Sequence, residues 1–385
     1  MRPSRPLKLP LGLLGASSRI QYQPKGVIEI MVPWNFLIDL TFAPLASALT
    51  AGNCSMIKTS EITPETSALI AWLFAQSFDV DEVQVVTGGP EVGAAFSALS
   101  FDHLVFTGST AVGRHVMRAA ADNLAPVTLE PGGKSPVIFV ETADAAKAAT
   151  GIMNGKIFNT GQICITPDYF MLPEAAKDTL VNVIHKAVET KFPTGLKDNE
   201  DYTSALGQRH FDRPKGDLQD ARDKGADVVE LNPRNEDFTQ QPHHKLPPTP
   251  VLNPTEETAV MQEEIFGPIL LVRTTSSTES AISYVNDHAH PLALYFFGKS
   301  KIEEQHVLQN TVFGGVSVND TIMHIAQDDL LFGRIGLSGM RHITGAMVFA
   351  NSATKRPCSA KCVSTCQNSS AHPMAAYSGP MSTAS

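Results

Sequence analysis

Short apolar segments rich in β-branched residues alternate with helical patterns over the first third of the chain, and this alternation constrains the fold more than any other feature. The strand patterns span residues 26–33, 53–58, 83–87 and 103–106. The helical patterns that follow them span residues 34–51, 63–77, 90–99 and 111–123. Four β-then-α units in succession are typical of a parallel sheet with helices on both faces. The pattern therefore predicts a doubly wound α/β fold of the nucleotide-binding class over residues 20–133.

Strand and helix patterns continue beyond residue 133, but they are less regular. Helices are predicted over residues 143–158, 174–192 and 212–224, and strand–helix alternation returns over residues 269–310. Residues 232–250 are polar and rich in proline, which predicts an exposed loop. From residue 356 onward Ser, Thr, Ala, Cys and Pro dominate and the periodicity disappears. That composition predicts a disordered tail.

The overall composition excludes several classes of protein. The 385-residue chain carries 30 basic and 39 acidic side chains, and its net charge of −9 has the wrong sign for a general nucleic-acid binder. No run approaches the ~20 apolar residues of a membrane-spanning helix. Pro10, Gly12 and Gly15 interrupt the one N-terminal segment that resembles a secretory signal. The sequence predicts a cytoplasmic protein that binds neither nucleic acid nor membrane.

Two motifs follow predicted strands, at the edge of the sheet where doubly wound folds bind nucleotides. The first motif comprises Thr107, Gly108, Ser109 and Gly113. A helix beginning there would attract a phosphate group, although the same residues are also ordinary helix-capping chemistry. The second motif pairs Lys58 with Glu61, which suits the two hydroxyls of a ribose or, alternatively, a solvated surface turn. Each motif taken alone leaves both interpretations open.

Two side chains have the chemistry of catalysis. Glu130 ends an apolar strand before a glycine turn, so it is a candidate general base or, equally, a cap for that turn. Cys164 follows a glycine-containing turn whose backbone amides are able to stabilise a thiolate nucleophile. An inert core cysteine is the alternative. A Cys–His hydrolase would also need a histidine partner, and no histidine lies in a recognisable signature.

Taken in order, six motifs resemble those of the aldehyde dehydrogenase superfamily. They are Pro33-Trp34-Asn35, Lys58-x-x-Glu61, Thr107-Gly108-Ser109-Thr110, Glu130 with Gly132-Gly133-Lys134, Gly161-Gln162-x-Cys164 and Glu263-Glu264-Ile265-Phe266-Gly267-Pro268. The resemblance runs from about residue 20 to residue 341, and it is closest to coniferyl-type members through residues 102–130, 291–298 and 318–329. It implies a Rossmann-type cofactor domain at residues 1–133, an α/β catalytic domain at residues 134–341, and a divergent end with a disordered tail at residues 342–385.

The resemblance also implies a role for each motif residue. Cys164 would be the nucleophile, Asn35 would help to stabilise the oxyanion, and Glu130 would activate the hydrolytic water. The residues implied to bind NAD, with NADP as the second candidate, are Trp34, Lys58, Glu61, Thr107, Gly108, Ser109, Gly113, Glu264 and Phe266. The expected reaction is the oxidation of an aromatic or medium-chain aldehyde to the carboxylic acid through a thiohemiacetal and a thioester. By the same analogy the enzyme would be a homodimer.

The sequence departs from the family pattern at several positions. Pro131 stands where a leucine is usual and restricts the backbone of Glu130. Arg334 and Arg341 replace glycines, which strains the chain wherever those glycines have a positive φ. The family's N-terminal helices are missing ahead of residue 20, so an exposed apolar patch is expected on the cofactor domain. These departures leave an alternative open, a degenerate remnant that binds nucleotide without catalysis.

Three cysteines of the tail are spaced four residues apart, as on one face of a helix. They are Cys358, Cys362 and Cys366. A metal site needs further ligands and a fold that holds them, and the tail offers neither. The sequence therefore predicts no bound metal.

Overall fold

The computed structural model describes residues 17–327, 330, 332–333, 335–340 and 352–360, without the side chains of residues 17–19 and 356–360. Arg334, Arg341, Cys362 and Cys366, which the sequence singled out, lie outside the described residues. The described residues from Gln23 to Thr354 form one compact unit, and those on either side of it belong to a second.

Fourteen strands and ten α-helices are present in the described residues. The strands are β1 (Ser17–Pro24), β2 (Val27–Met31), β3 (Cys54–Lys58), β4 (Val83–Val86), β5 (His103–Gly108), β6 (Val127–Pro131), β7 (Ser135–Phe139), β8 (Pro167–Pro173), β9 (Asp227–Val228), β10 (Thr249–Leu252), β11 (Ile269–Thr275), β12 (Ala293–Phe297), β13 (Gly315–Val318) and β14 (Ala353–Ala360). The helices are α1 (Leu37–Thr50), α2 (Pro64–Ser77), α3 (Pro90–Ser97), α4 (Thr110–Asp122), α5 (Ala145–Ile157), α6 (Lys177–Lys191), α7 (Gly207–Asp223), α8 (Ala259–Gln262), α9 (Thr278–Asp287) and α10 (Lys301–Asn310).

The first sheet contains five parallel strands in the order β4-β3-β2-β5-β6. One core contains Ile28 and Ile30 of β2 together with Leu45 of α1 and Phe74 of α2. A second core joins β5 and β6 to α3 and α4. The chain builds outward from β2 first to one side and then to the other, so the strand order reverses between β2 and β5. The predicted doubly wound α/β fold is confirmed, and this reversal creates a crevice at the carboxyl ends of the two strands.

The second sheet contains seven strands in the order β13-β12-β7-β8-β11-β10-β9. Its pairings are parallel except that of β9 with β10. One core contains apolar residues of α5 and α6, and another contains those of α7, α9 and α10. Only residues 132–134 separate β6 of the first sheet from β7 of the second. The predicted domain boundary at residues 133 and 134 falls in this short connection and stays a proposal.

The structure corrects four boundaries that were predicted from local pattern. Residues 34–36 precede α1 rather than beginning it, and α7 begins at residue 207 instead of 212. The proline-rich stretch at residues 232–250, predicted to be an exposed loop, ends in a buried segment that enters β10. Residues 356–360, where the tail was predicted to be disordered, belong to β14, which pairs with β1. The last two elements depend on partner strands distant in sequence, and local composition carries no information about such partners.

Large apolar side chains are exposed on α1 and α2. They are Ile38, Phe42, Leu69, Trp72 and Leu73, and Trp72 is 60% exposed. These helices cover one face of the first sheet, where an apolar patch was expected, and the area of that patch stays a prediction. No helix in the part of the chain that the structure describes is long and apolar enough to cross a membrane.

Candidate active site

The turn that carries Cys164 has an unusual backbone. After α5 the chain forms a short 3-10 segment in which Asn159, Thr160 and Gly161 have φ values of 48°, 54° and 72°. Gly161 is required there, because a Cβ atom would clash with the carbonyl oxygen of Gly267. Such conformations persist only where the surroundings determine them. The turn leads into β8 and leaves Cys164 partly buried beside the core of the second sheet.

The side chain of Gln162 fastens this turn to the segment that precedes α7. Its Nε2 donates to the carbonyl oxygens of Asn159 (3.0 Å) and Ser204 (3.1 Å). Its Oε1 accepts from the backbone N–H of Leu206 at 3.0 Å. All the polar atoms of the amide are therefore used to position the residues next to Cys164.

Asn35 lies at the start of the crevice, four residues after β2. Its Nδ2 donates to the carbonyl oxygen of Gln162 at 3.2 Å, two residues before Cys164. The side chain is buried, and the next residue, Phe36, has a φ of 49° that turns the chain into α1. The structure thus places the Asn35 amide, which was predicted to help stabilise the oxyanion, beside the turn that carries Cys164.

Glu130 lies in β6 directly opposite Thr107 of β5. The Thr107 Oγ1 hydroxyl donates to Glu130 Oε2 at 3.3 Å, and the Glu130 residue is 2% exposed. Thr107 was predicted to contact a cofactor, and in this structure its hydroxyl contacts the carboxylate. The site therefore contains a buried carboxylate that is oriented by its neighbouring strand.

The loop at residues 263–267 carries the two predicted ligands Glu264 and Phe266. Phe266 has a φ of 46°, and its ring lies edge-on to that of Trp34 with centroids 5.4 Å apart. The Glu264 carboxyl lies against Gly132, where a Cβ atom would clash with it. Burial raises the pKa of this carboxyl to about 8, although a hydrogen bond from the Gly133 N–H opposes the shift. The loop and the turn after β6 are thus in contact.

The remaining predicted cofactor residues lie at the carboxyl ends of β3 and β5. Lys58 Nζ lies 3.5 Å from Glu61 Oε2 and donates to the Thr59 carbonyl oxygen at 2.7 Å. Ser109 is the N-cap of α4, and its Oγ accepts from the Val112 N–H. Gly108 ends β5, and Gly113 lies in the first turn of α4 against the Phe106 ring.

This arrangement fits a dinucleotide in two ways. The N-terminus of the 13-residue helix α4 directly follows β5 at the edge of the crevice, and an anionic diphosphate binds favourably at such a helix N-terminus. Glu264 Oε1 is buried and has no hydrogen-bond partner within the described residues, and a ribose hydroxyl would supply the missing donor. Within the same part of the chain, no group of three or more His, Cys, Asp or Glu side chains is arranged to hold a metal ion.

Several polar residues around the loop at residues 263–267 were assigned no role from the sequence. His210 of α7 lies edge-on to Trp34 with ring centroids 4.7 Å apart. Lys134, Asp168 and Arg213 bond to the loop backbone. Asp168 had one visible signal, because it is an acidic residue within an otherwise apolar strand. Nearby, Lys156 is completely buried, and burial lowers its pKa to about 8.

Comparison with known proteins agrees with these features. Residues 7–355 match the sequence model of the aldehyde dehydrogenase family. The probable coniferyl aldehyde dehydrogenase of Caulobacter vibrioides is 55% identical over 342 residues, which cover 88% of this chain and 70% of that protein. The coniferyl aldehyde dehydrogenase of a Pseudomonas species is 49% identical over 343 residues, covering 89% of this chain and 71% of that protein.

Solved structures show the same similarity. The substrate-bound AldH of Staphylococcus aureus is 35% identical with a TM-score of 0.88, over 94% of this chain and 77% of that one. Betaine aldehyde dehydrogenase of Staphylococcus aureus in complex with NAD+ is 25% identical with a TM-score of 0.81, over 94% of this chain and 72% of that one.

Proposed function

The chain belongs to the aldehyde dehydrogenase family, and from that premise we propose that it oxidises a coniferyl-type aromatic or a medium-chain aldehyde to the carboxylic acid with NAD. It is an oxidoreductase that acts on aldehydes, as its named relatives are. The single observation that best supports the proposed chemistry is the 3.2 Å hydrogen bond from Asn35 to the turn of Cys164. That contact joins the two motifs that would handle the substrate carbonyl.

Cys164 acts as the nucleophile in this proposal. Its thiolate forms a bond to the aldehyde carbon, and the carbonyl electron pair moves to oxygen. The Asn35 amide and the Cys164 backbone N–H donate to that oxyanion. Loss of one such donor typically costs ~2.7–4 kcal/mol of transition-state stabilisation.

The dinucleotide is proposed to bind along the crevice of the first sheet. Lys58 and Glu61 bind the adenosine ribose, while Ser109 and the start of α4, with Thr107, Gly108 and Gly113 around them, bind the diphosphate. Glu264 binds the nicotinamide ribose, with the Phe266 and Trp34 rings beside it. When bound, NAD supplies the acceptor for the hydride that leaves the thiohemiacetal carbon, so that a thioester remains on Cys164. NADP is the second candidate for this cofactor.

Glu130 completes the proposed cycle. Its carboxylate takes a proton from a water molecule as that water attacks the thioester carbon. The new C–O bond forms, the C–S bond breaks, and the Cys164 thiolate is regenerated with release of the acid. The hydrogen bond from Thr107 supports this role, because it holds the carboxylate in one orientation.

The test measures NADH formation with coniferaldehyde and with a medium-chain aliphatic aldehyde. The Cys164→Ala variant should lose at least about a thousandfold in kcat. Cys54→Ala, which changes an exposed cysteine of β3, is the matched control and should retain wild-type activity. Turnover that survives in Cys164→Ala would exclude the proposed nucleophile.

A wild-type protein that binds NAD in calorimetry but turns over no aldehyde would instead identify a nucleotide-binding remnant.

By analogy with the family we also propose a homodimer, which sedimentation velocity would distinguish from a monomer, and a cytoplasmic location. The division into a cofactor domain up to residue 133 and a catalytic domain from residue 134 belongs to the same proposal.

A further inference from the structure

The loop at residues 263–267 lies between α8 and β11 and belongs to neither a helix nor a strand. Its backbone polar groups are instead satisfied by charged side chains. The Arg213 guanidinium donates from Nη1 to the carbonyl oxygen of Glu264 at 3.0 Å and from Nη2 to that of Ile265. One planar group of α7 therefore holds two consecutive carbonyls with two separate nitrogens, a fork that the single ammonium of a lysine does not provide.

A second anchor of the loop consists of Lys134, in the connection between β6 and β7, and Asp168 of β8. Lys134 Nζ donates at 2.8 Å to the carbonyl oxygens of both Val260 and Glu263. Asp168 of β8, which is 1% exposed, lies 3.2 Å from Lys134 Nζ through Oδ1 and accepts from the Ile265 N–H through Oδ2. The carbonyls of residues 263, 264 and 265 are thus all bonded to cationic side chains.

We propose that Arg213, Lys134 and Asp168 are positioning residues that fix this loop and thereby aim the Glu264 carboxyl at the cofactor. The proposal rests on the proposed function, in which Glu264 binds the nicotinamide ribose. Lys134 lies two residues after Gly132, against which the Glu264 carboxyl packs. One turn therefore contacts the side chain of the ligand segment and bonds its backbone through Lys134.

The backbone of the loop is strained at one residue. Phe266 has a positive φ of 46°, which an aromatic residue rarely adopts. Such a conformation persists where the surrounding contacts determine it. Without the three charged side chains, the loop would satisfy its carbonyls with water in many conformations, and the Glu264 carboxyl would lose its single orientation.

The principal test compares two conservative changes on the same helix. Arg213→Lys keeps the charge but replaces the planar guanidinium by a single ammonium nitrogen, so the two parallel contacts from Nη1 and Nη2 to consecutive carbonyls are lost. Arg222→Lys is the matched control, since Arg222 pairs with Glu230 at 2.6 Å instead of contacting the loop. We expect Arg213→Lys to raise the Kd for NAD about tenfold with an unchanged KM for aldehyde, and Arg222→Lys to leave both at wild-type values.

A second readout needs no cofactor. In hydrogen exchange of the cofactor-free protein, the peptide that contains the Ile265 amide should exchange about tenfold faster in Arg213→Lys than in the wild type or in Arg222→Lys. Lys134→Met, which removes the other anchor, should produce the same acceleration. It also serves as the test variant if Arg213→Lys fails to fold.

Coupling to Glu264 separates positioning from a general structural role. In a Glu264→Gln background, Arg213→Lys should change the Kd for NAD by less than about twofold, because its effect passes through the carboxyl already removed. Independent, multiplying effects would overturn the inference, as would hydrogen exchange at the wild-type rate in both test variants. A wild-type protein that neither binds NAD nor oxidises aldehyde would overturn the proposed function and this inference with it. Wild-type activity combined with unaffected test variants would overturn the inference alone.

Discussion

Pro131 is the departure from the family pattern that bears most directly on the proposed role of Glu130, because a proline restricts the backbone of the residue before it. The restriction favours extended conformations. Glu130 lies in β6, where an extended conformation is required, so the proline and the strand favour the same backbone geometry. Pro131 ends β6, which is an edge strand of the first sheet, and in an edge strand the missing N–H of a proline costs little. The substitution therefore agrees with the observed contact between Glu130 and Thr107.

Replacing Glu130 by Gln should separate the two halves of the reaction. Hydride transfer needs only the thiohemiacetal, whereas thioester hydrolysis needs an activated water. In rapid mixing experiments Glu130→Gln should retain a single-turnover burst of NADH while steady-state turnover falls ~10²–10⁴-fold. Glu141→Gln, which changes an exposed glutamate after β7, is the control. Equal loss of the burst and the steady state would contradict the role of Glu130 as the base.

At the scale of elements, the turn at residues 158–161 joins the two halves of the candidate site. It contacts the loop at residues 263–267 through Gly161 and Gly267, and the residue after it, Gln162, accepts a hydrogen bond from Asn35 in the segment that follows β2. Two of its three residues with positive φ are not glycines. The turn therefore depends on neighbouring elements for its conformation, and the position of Cys164 depends on the turn.

Gly161→Ala should disturb this element selectively. The new methyl group meets the Gly267 carbonyl oxygen at a φ of 72°, so the turn and the loop must move apart. We expect a loss of about 1–3 kcal/mol in the free energy of unfolding, with kcat falling about a hundredfold.

Gly216→Ala is the matched control for that change. Gly216 lies within α7, and a Cβ atom there meets no other atom within 4 Å. The substitution should stabilise the protein by up to about 1 kcal/mol in chemical denaturation and leave kcat unchanged. A wild-type kcat in Gly161→Ala would show that the close approach of the two segments does not position Cys164.

At the scale of the whole molecule, one buried acid makes folding depend on pH. Glu29 lies in the central strand of the first sheet and is 0% exposed, and neither carboxyl oxygen has a hydrogen-bond partner within the described residues. Burial raises the pKa of this carboxyl from 4.5 to about 8. The folded protein therefore keeps the proton in a pH range where the unfolded chain releases it.

The sign of the resulting pH dependence follows from proton counting. Between pH 4.5 and about 8 the folded state binds one more proton than the unfolded state at Glu29, so stability falls as pH rises. The contribution of Glu29 is at most about 1.4 kcal/mol per pH unit and ends above its folded pKa. Glu29→Gln removes it, so urea unfolding at pH 6 and at pH 8.5 should show a smaller loss in the variant. An equal loss in the two proteins would contradict the assignment.

Local pattern was sufficient for the first sheet, and it marked the candidate site residues without deciding their roles. The strands β2 to β5 and the helices α1 to α4 were predictable because each is a short segment whose own periodicity and end signals specify it. The motif residues follow those strand ends or glycine turns, so their types and spacing were visible without knowledge of their contacts. A parallel sheet then implies that residues after adjacent strands lie near one another.

Only the tertiary structure decided which distant segments meet. It placed β8 in the middle of the second sheet, although that strand begins and ends with proline, and it paired β14 with β1. It also brought Arg213 to a carbonyl 51 residues away and Lys134 to one 129 residues away. The free energy of such contacts comes from burial and from the partner group, whereas sequence patterns report the preferences of neighbouring residues alone. The contacts that position Cys164 and Glu264 therefore arise only when the two sheets and the loops between them are assembled.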